Sequence, residues 1–329
     1  MNFGIIGCGL IGQKRARALG PHTLVVCADP VKERADALAA SYSGCESTDK
    51  TDCLIERDDV HAVIVATTND MLARIAGAAA QAGKHVLVEK PGGRYASEVR
   101  RLGDIAQAAG VTAKVGFNHR FHPALLRAHA MFGEGRIGPL LYVRGRYGHG
   151  GRPGYEREWR ADPAIAGGGE MLDQGVHLID LARWFAGDFS VITGHVGSFF
   201  WDMPVEDNGF AMLRTADGQV AWLHASCTEW RNLFSFEIFG RDGKLQIDGL
   251  GGSYGIERLT YYHMLPEMGP PETTIWEFPR EDQSWQREIE DFVACIDGRA
   301  TECGSTVDAV AALSTVEEIY RQAGCDYRS

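Results

Sequence analysis

The sequence predicts an α/β protein of two domains: a doubly wound, parallel-stranded domain over 1–118, and an α+β domain over 119–329 built on a large, mostly antiparallel sheet. Three observations carry this reading. The 329 residues are too many for one ordinary core and suit two domains of roughly 100–200 residues each, with a cleft between them. The first third alternates short apolar runs with helical segments, and the second half strings together runs that alternate with a period of two.

From Phe3 an apolar strand runs into a glycine turn and then a helix through Lys14 to Leu19, followed by a β-rich run from Thr23 to Ala28. Ala62-Val63-Ile64-Val65-Ala66 and His85-Val86-Leu87-Val88 are continuous apolar runs, as expected of strands covered on both faces. Between them Met71 to Ala82 is alanine-rich and helical, and Gly83 is a suitable residue just past a helix end. Strands separated by helices of this length imply right-handed crossovers. Val111 to Gly116 supplies the last strand of the first domain. Beyond it, Leu140 to Tyr147, Val191 to Phe200, Phe210 to Leu213, Val220 to Ser226 and Phe234 to Phe239 alternate as strands of an antiparallel sheet. Pro266, Pro270 and Pro271 place a surface loop at Met264 to Thr274.

Composition removes several function classes. The formal charge of −11, from 33 basic and 44 acidic residues, disfavours nucleic acid and anionic membrane as partners. No stretch approaches the roughly 20 apolar residues of a membrane helix, and the first residues lack a basic leader, so a cytoplasmic protein is expected. Cys8, Cys27, Cys45, Cys53, Cys227, Cys295, Cys303 and Cys325 show no paired C-x-x-C spacing, which points to reduced, structural thiols and no metal.

Gly7-Cys8-Gly9-Leu10-Ile11-Gly12 is a G-x-G-x-x-G placed directly after a strand and before a helix, the context that gives this motif its weight. Gly7 permits the tight turn, Gly9 admits a pyrophosphate, and Gly12 brings helix against strand, so that amide groups of Leu10, Ile11 and Gly12 face the anion. This is the arrangement of a Rossmann domain. Asp29 falls 17 positions after Gly12, where a carboxylate would accept from an adenosine ribose; a plain helix cap ahead of Pro30 is the other reading. The charge favours NAD, and Lys32 and Arg34 leave NADP open.

Val88-Glu89-Lys90-Pro91-Gly92-Gly93, together with the opening glycine motif, resembles the Gfo/Idh/MocA family of oxidoreductases. A second run, Gly167-Gly168-Gly169-Glu170-Met171-Leu172-Asp173-Gln174-Gly175-Val176-His177-Leu178-Ile179-Asp180, resembles that family's G-G-G-x-x-x-D-x-G-x-H-x-x-D. The resemblance extends over nearly the whole chain. It implies an open-faced second sheet that joins copies into dimers or tetramers, and a sugar-like substrate. It implies catalytic roles for Lys90, Asp173 and His177, with Glu89, Lys90, Thr67, Asn69 and Asn118 near the cofactor. One departure is visible: the family's T-P-N-x-x-H is here Thr67-Thr68-Asn69-Asp70-Met71-Leu72, which puts the local turn in question. Phe117-Asn118-His119-Arg120-Phe121-His122-Pro123 matches the crossover into the second domain, and Arg120 is placed toward substrate.

Read as a helix, the second run puts Asp173, His177 and Asp180 on one side, among Leu172, Val176, Leu178, Ile179 and Leu181. Buried carboxylate and imidazole groups without partners would cost several kcal/mol, so the polar stripe must meet other polar groups or a substrate. A structural Asp–His pair, or a metal site from Glu170, Asp173 and His177, are the alternatives. Arg144, Arg146, Arg152, Arg157 and Arg160 stand against only Glu156 and Glu158, a basic island in an acidic chain. Arg152 and Arg160 suit an anionic sugar, and Tyr155 or Trp159 would pack on its ring; solvated or ion-paired arginines are the alternative.

The expected chemistry is hydride transfer between a nicotinamide and a secondary hydroxyl of a sugar, cyclitol or nucleotide-linked sugar. His177 acts as general base, Asp173 orients it, and Lys90 stabilises the alkoxide. Two rivals stand beside it. One is a hydrolase that cleaves a glycosidic bond through transient oxidation by NAD, and the other is a non-catalytic NAD-binding regulator.

Overall fold

The computed structural model describes residues 1–299, 304–325 and 327, so Cys303 lies outside the described residues. It contains two compact units: Met1–Asn118 with Trp285–Ala311, and His119–Ser284 with Ala312–Ser329.

The first unit runs β1 (Asn2–Ile6), α1 (Leu10–Arg17), β2 (Thr23–Ala28), α2 (Lys32–Ala39), β3 (Glu46–Thr48), α3 (Thr51–Ile55), β4 (Ala62–Val65), α4 (Asn69–Gln81), β5 (His85–Glu89), α5 (Ala96–Ala109) and β6 (Ala113–Gly116). Its sheet has the order β3-β2-β1-β4-β5-β6 with every pairing parallel. All four residues of β4 are buried, as expected of an apolar run covered on both faces. The strand order reverses direction between β1 and β4, so the carboxyl ends of those two strands flank the switch point where such sheets bind ligands.

The second unit runs α6 (Pro123–Gly133), β7 (Leu140–Gly148), α7 (Pro163–Ala166), a π-helical turn at Met171–Gly175, α8 (Val176–Ala186), β8 (Phe189–Gly197), β9 (Asn208–Thr215), β10 (Val220–Ser226), β11 (Leu233–Gly240), β12 (Gly243–Asp248), β13 (Glu257–His263) and β14 (Glu272–Phe278). Its eight strands lie in the order β14-β13-β12-β11-β7-β10-β9-β8, antiparallel except where β7 meets β10. Two final helices, α9 (Ser284–Ile296) and α10 (Thr306–Ala323), complete the chain.

Four strands escape the sequence reading, the short β3 of the first unit and three of the second. β12 alternates cleanly, with Leu245 and Ile247 buried, and β13 follows after a glycine-rich turn. β14 begins at Glu272, inside the segment read as a loop; it is an edge strand, largely exposed, and Pro270 and Pro271 lie just outside it, as proline at a sheet edge must. The segment Trp285–Ala311 belongs to the first unit, although the sequence reading keeps 119–329 together. The cause is packing: Ile289 and Phe292 of α9 join Phe3, Ile5, Ile64 and Leu87 in one core.

Candidate active site

In the first unit the glycine turn follows β1. Gly7 holds φ +95° and donates its N–H to Ala28 O at 2.8 Å, which joins the turn to β2. A Cβ on Gly12 would lie 1.9 Å from Gly7 O, so only glycine lets α1 approach the strand this closely. A Cβ on Gly9 would meet nothing within 4 Å, which marks open space on the outer side of the turn. Helix α1 starts without a side-chain cap and without an acidic residue in its first turn, so its leading amides are available to an anion. Leu10 is 68% exposed there, while Ile11 is half-buried.

Asp29, only 5% exposed, ties this turn to the next helix. Its Oδ2 accepts the Cys8 N–H at 2.8 Å and its Oδ1 accepts the Val31 N–H at 2.9 Å. The same carboxylate therefore anchors the chain ahead of α2 and keeps lone pairs on both oxygens for ribose hydroxyls. Open space at Gly9, uncapped amides and an acceptor at Asp29 together fit a dinucleotide.

Thr68 resolves the question of the missing proline. It takes φ −69° ahead of α4, within the range a proline ring imposes, and its hydroxyl donates to Asp70 Oδ1 at 2.6 Å. Thr67 and the buried Asn69 stand on either side of it, just past the carboxyl end of β4. Glu89 ends β5, Lys90 follows in the turn after it, and the Lys90–Pro91 peptide is cis. The Glu89 carboxylate, expected near the cofactor, accepts from the fully buried Arg15 at 2.5 Å, and Arg15 also donates to Glu288 at 2.5 Å. Arg15 lies 4.5 Å from the Trp285 ring centroid. Glu89 is thus committed to a structural cluster, with its neighbour Lys90 half-buried beside it. Asn118 is buried where the first unit gives way to a 3₁₀ turn at Asn118–Phe121.

The second unit holds the imidazole and carboxylates. His177 sits in the first turn of α8 and is 3% exposed. Its ring stacks on His119 with centroids 3.8 Å apart, and Tyr147 meets both rings edge-on. Burial, and then Tyr254, push the Tyr147 hydroxyl well above its ordinary range, so it remains a neutral O–H. Asp173 lies in the π turn rather than on a regular α-helix, which changes the four-residue spacing assumed from sequence. Its Oδ2 is 3.4 Å from Arg160 Nε.

The entry to α8 is held from β9's approach. Glu206 Oε2 accepts the Gly169 N–H at 2.9 Å, while its Oε1 accepts the Met171 N–H at 3.0 Å and the Tyr320 hydroxyl at 2.7 Å. A Cβ on Gly169 would fall 2.0 Å from Glu206 O, and one on Gly168 would fall 2.3 Å from the Tyr320 hydroxyl. The glycine run is therefore a close-approach feature that seats the start of the helix on a carboxylate. Full burial raises Glu206 to about 7 despite those donors.

The residues expected to contact substrate have partners within the second unit. The Arg120 guanidinium is buried and grips Asp180, Nε to Oδ2 at 2.8 Å and Nη2 to Oδ1 at 2.5 Å, a bidentate pair. Tyr155 is buried, and its hydroxyl donates to Glu170 Oε1 at 2.9 Å. Four of the five arginines of the basic island are ion-paired: Arg144 to Glu237, Arg152 to Glu158 at 2.5 Å, Arg157 to Glu156, and Arg160 to Glu158 and Asp173. Arg160 also covers the half-buried Trp159 at 4.6 Å. Among the described residues, no His, Cys, Asp and Glu group is placed to hold a metal ion.

Sequence reasoning missed His119, Tyr147, His149 and Glu206. His119 was visible only as one letter of a crossover segment, and Tyr147 and His149 as the end of a strand and a loop. His149 Nε2 lies 3.5 Å from Glu170 Oε1. Burial opposes its protonation most strongly, but the Glu170 hydrogen bond and the charges of Glu170 and Asp173 prevail and raise it above 6.5.

A parallel sheet ordered about a switch point, a vacant-sided glycine turn and an acidic residue after β2 define an NAD-binding oxidoreductase of the Rossmann type. Residues 1–117 match the oxidoreductase family with an NAD-binding Rossmann fold, and residues 125–246 match the Gfo/Idh/MocA C-terminal domain. The chain belongs to the Gfo/Idh/MocA family of oxidoreductases. It is similar to a levoglucosan dehydrogenase of Pseudarthrobacter phenanthrenivorans, 29% identical over 74% of this chain and 73% of that protein. It is also similar to an inositol 2-dehydrogenase of Rhizobium meliloti, 27% identical over 98% of this chain and 96% of that protein. A solved levoglucosan dehydrogenase in complex with NADH and levoglucosan superposes with a TM-score of 0.89 at 26% identity, covering 98% of this chain and 97% of that one.

Proposed function

We propose that this chain is an NAD-dependent dehydrogenase of an uncharged sugar or cyclitol, oxidising one secondary hydroxyl. The observation that carries the substrate reading is the ion pairing of the arginines. With Arg152 on Glu158 and Arg160 shared between Glu158 and Asp173, the second unit offers buried acceptors and imidazoles rather than uncompensated positive charge. An uncharged polyol suits that set, which favours it over the anionic or nucleotide-linked sugar suggested by the arginine count alone.

Bound NAD supplies the hydride acceptor. Residues 1–118 hold it, with Gly7, Gly9, Leu10, Ile11, Gly12 and Asp29 at its adenosine and pyrophosphate end and Thr67, Asn69, Lys90 and Asn118 toward the nicotinamide. His177 takes the hydroxyl proton as general base. Lys90 hydrogen-bonds the same oxygen and stabilises its developing charge. Asp173, whose Oδ2 also meets Arg160 Nε at 3.4 Å, orients the imidazole. Residues 119–329 carry the substrate and join copies of the chain into a dimer or tetramer through the sheet face that exposes Met212 and Trp222, which are register partners on β9 and β10.

Screening inositols, neutral aldoses, anhydrosugars, uronates and nucleotide sugars with NAD and NADP, read at the nicotinamide absorbance band, tests the assignment. Turnover on a neutral polyol with NAD supports it. Reduction only with uronates or nucleotide sugars would overturn the substrate class, and glycoside cleavage without net NADH would overturn the reaction. Light scattering tests assembly, since a monomeric mass contradicts it.

A further inference from the structure

A row of aromatic rings runs through the second unit from the surface to the segment that enters α8. Trp230, 64% exposed, meets Phe200 edge-on at 4.6 Å between centroids, Phe200 meets Trp201 edge-on at 5.1 Å, and Trp201 lies 5.9 Å from Tyr155. Tyr155 in turn meets His149 at 5.4 Å and donates to Glu170, three residues ahead of Asp173. The row is held firmly. The fully buried Asp207 accepts the N–H groups of Phe199, Phe200 and Trp201 at 2.8–3.0 Å, and the Trp201 indole N–H donates to Cys227 O at 2.9 Å. Trp230 takes φ +56°, the one positive value outside glycine among the described residues, in a region that a bulky side chain enters only when its surroundings force it. The loop that carries His149 packs close against both tryptophans: a Cβ on Gly150 would lie 2.9 Å from Trp230 Cα, and one on Gly151 would lie 2.5 Å from Trp201 Cζ2.

Folding gains nothing from the strain at Trp230 or from holding two apolar rings in water. Phe200 is 59% exposed, and with Trp230 it presents on the order of 300 Å² of aromatic surface. A stable contact between copies takes about 800 Å² from each partner, so this corner is too small to be one by itself. Phe199, by contrast, sits edge-on to Phe210 of β9, on the sheet face that also carries Met212 and Trp222. The Trp230 and Phe200 rings stand at 83° to each other, which leaves the indole an open face in a corner about one ring wide. A sugar ring, with C–H groups on its face and hydroxyls at its rim, matches an indole face of that kind, and the row of rings leads from there to Glu170. We propose that Trp230 and Phe200 form an outer subsite for the second ring of a neutral disaccharide or glycoside, whose first ring is the one oxidised. The proposal rests on the neutral-polyol reading given above and narrows its substrate to one that carries a further sugar ring.

The test is titration calorimetry and saturation-transfer NMR of the full chain with glucose, inositol, cellobiose, maltose and a glucosyl-inositol, for wild type, Trp230→Gly, Trp230→Phe and Phe200→Ala. Glycine accepts the positive φ, so Trp230→Gly removes the indole without straining the fold. In wild type at least one two-ring sugar should bind roughly tenfold more tightly than its own single ring, with saturation transferred to both rings. That ratio should fall toward one in Trp230→Gly, fall in part in Phe200→Ala, and be largely kept in Trp230→Phe. Two-ring sugars bound no better than single rings, or an equal loss for both in Trp230→Gly, overturns the proposal. A lower assembly mass of Trp230→Gly by light scattering also overturns it, since the rings would then belong to a contact between copies. Affinity is read without turnover, so a chain that oxidises none of these sugars loses the polyol reading while the subsite stands or falls on the binding ratio.

Discussion

The imidazole rings of His119 and His177 lie face to face, 3.8 Å between centroids and 14° from parallel, in the buried heart of the second unit. His119 comes from the 3₁₀ turn and His177 from α8, so the stack fixes the proposed base against an element outside its own helix. Removing one wall frees the other ring. His119→Ala is expected to lower kcat on the order of 10²-fold through misplacement of His177, and His119→Phe to recover most of it by keeping an aromatic face. Equal losses in the two variants by steady-state kinetics would show that stacking is not what places the base.

His177 itself carries the proton transfer in the proposed reaction. His177→Ala should reduce kcat by roughly 10²–10⁴-fold while leaving NAD affinity, measured by calorimetry, within a small factor of wild type. A near-normal kcat would falsify the assignment.

The Arg120–Asp180 pair separates a structural role from a substrate contact. Arg120→Met leaves Asp180 buried without its bidentate partner, at a cost of about 3–5 kcal/mol. The melting temperature should fall sharply, and Asp180→Leu in the same chain should restore much of it. Unchanged melting with a raised substrate KM would return Arg120 to the substrate.

Asp29 has two kinds of work in one carboxylate. Asp29→Ala orphans the Cys8 and Val31 amides, each costing about 1–3 kcal/mol when buried, and removes the ribose acceptor. A weaker NAD complex and a lower melting temperature should appear together, and the ratio of KM for NADP to KM for NAD should fall. An unchanged ratio would deny Asp29 any part in cofactor choice.

Glu206 gives the second unit a pH signature. Burial raises its folded-state value to about 7 from 4.5, so between those values the folded chain binds the extra proton and stability declines as pH rises. At about 1.4 kcal/mol per unit, the decline is on the order of 3 kcal/mol. Glu288, also raised to about 7 by burial, has the same sign. Melting curves from pH 4.5 to 7 should therefore slope less steeply in Glu206→Gln than in wild type, and equal slopes would contradict the buried carboxyl reading.

The parallel sheet was legible because β4 and β5 are continuous apolar runs and because the glycine turn sits in fixed register between β1 and α1. The second sheet was legible only in part. β14 is exposed along most of its length, and an edge strand that buries little leaves no apolar alternation to read. The site split along a similar line. Lys90, Asp173 and His177 follow from motif letters, but a charge count cannot tell a free arginine from one already engaged, as Arg144, Arg152, Arg157 and Arg160 are. Contacts made at long range, such as His119 on His177 or Glu206 on the amides of Gly169 and Met171, leave no trace in local spacing. The widening of the helix into a π turn at Met171–Gly175 is equally silent in the sequence.

The return of Trp285–Ala311 to the first unit has a bearing on how this protein is made. A ribosome that has released only the first 118 residues has yielded six strands whose core still lacks Phe292, and an interior guanidinium at Arg15 still short of Glu288. The nascent nucleotide-binding half must wait, part-assembled, until nearly the whole polypeptide has emerged. Chaperone dependence during synthesis, and the failure of any fragment cut at the apparent boundary, follow from that delay.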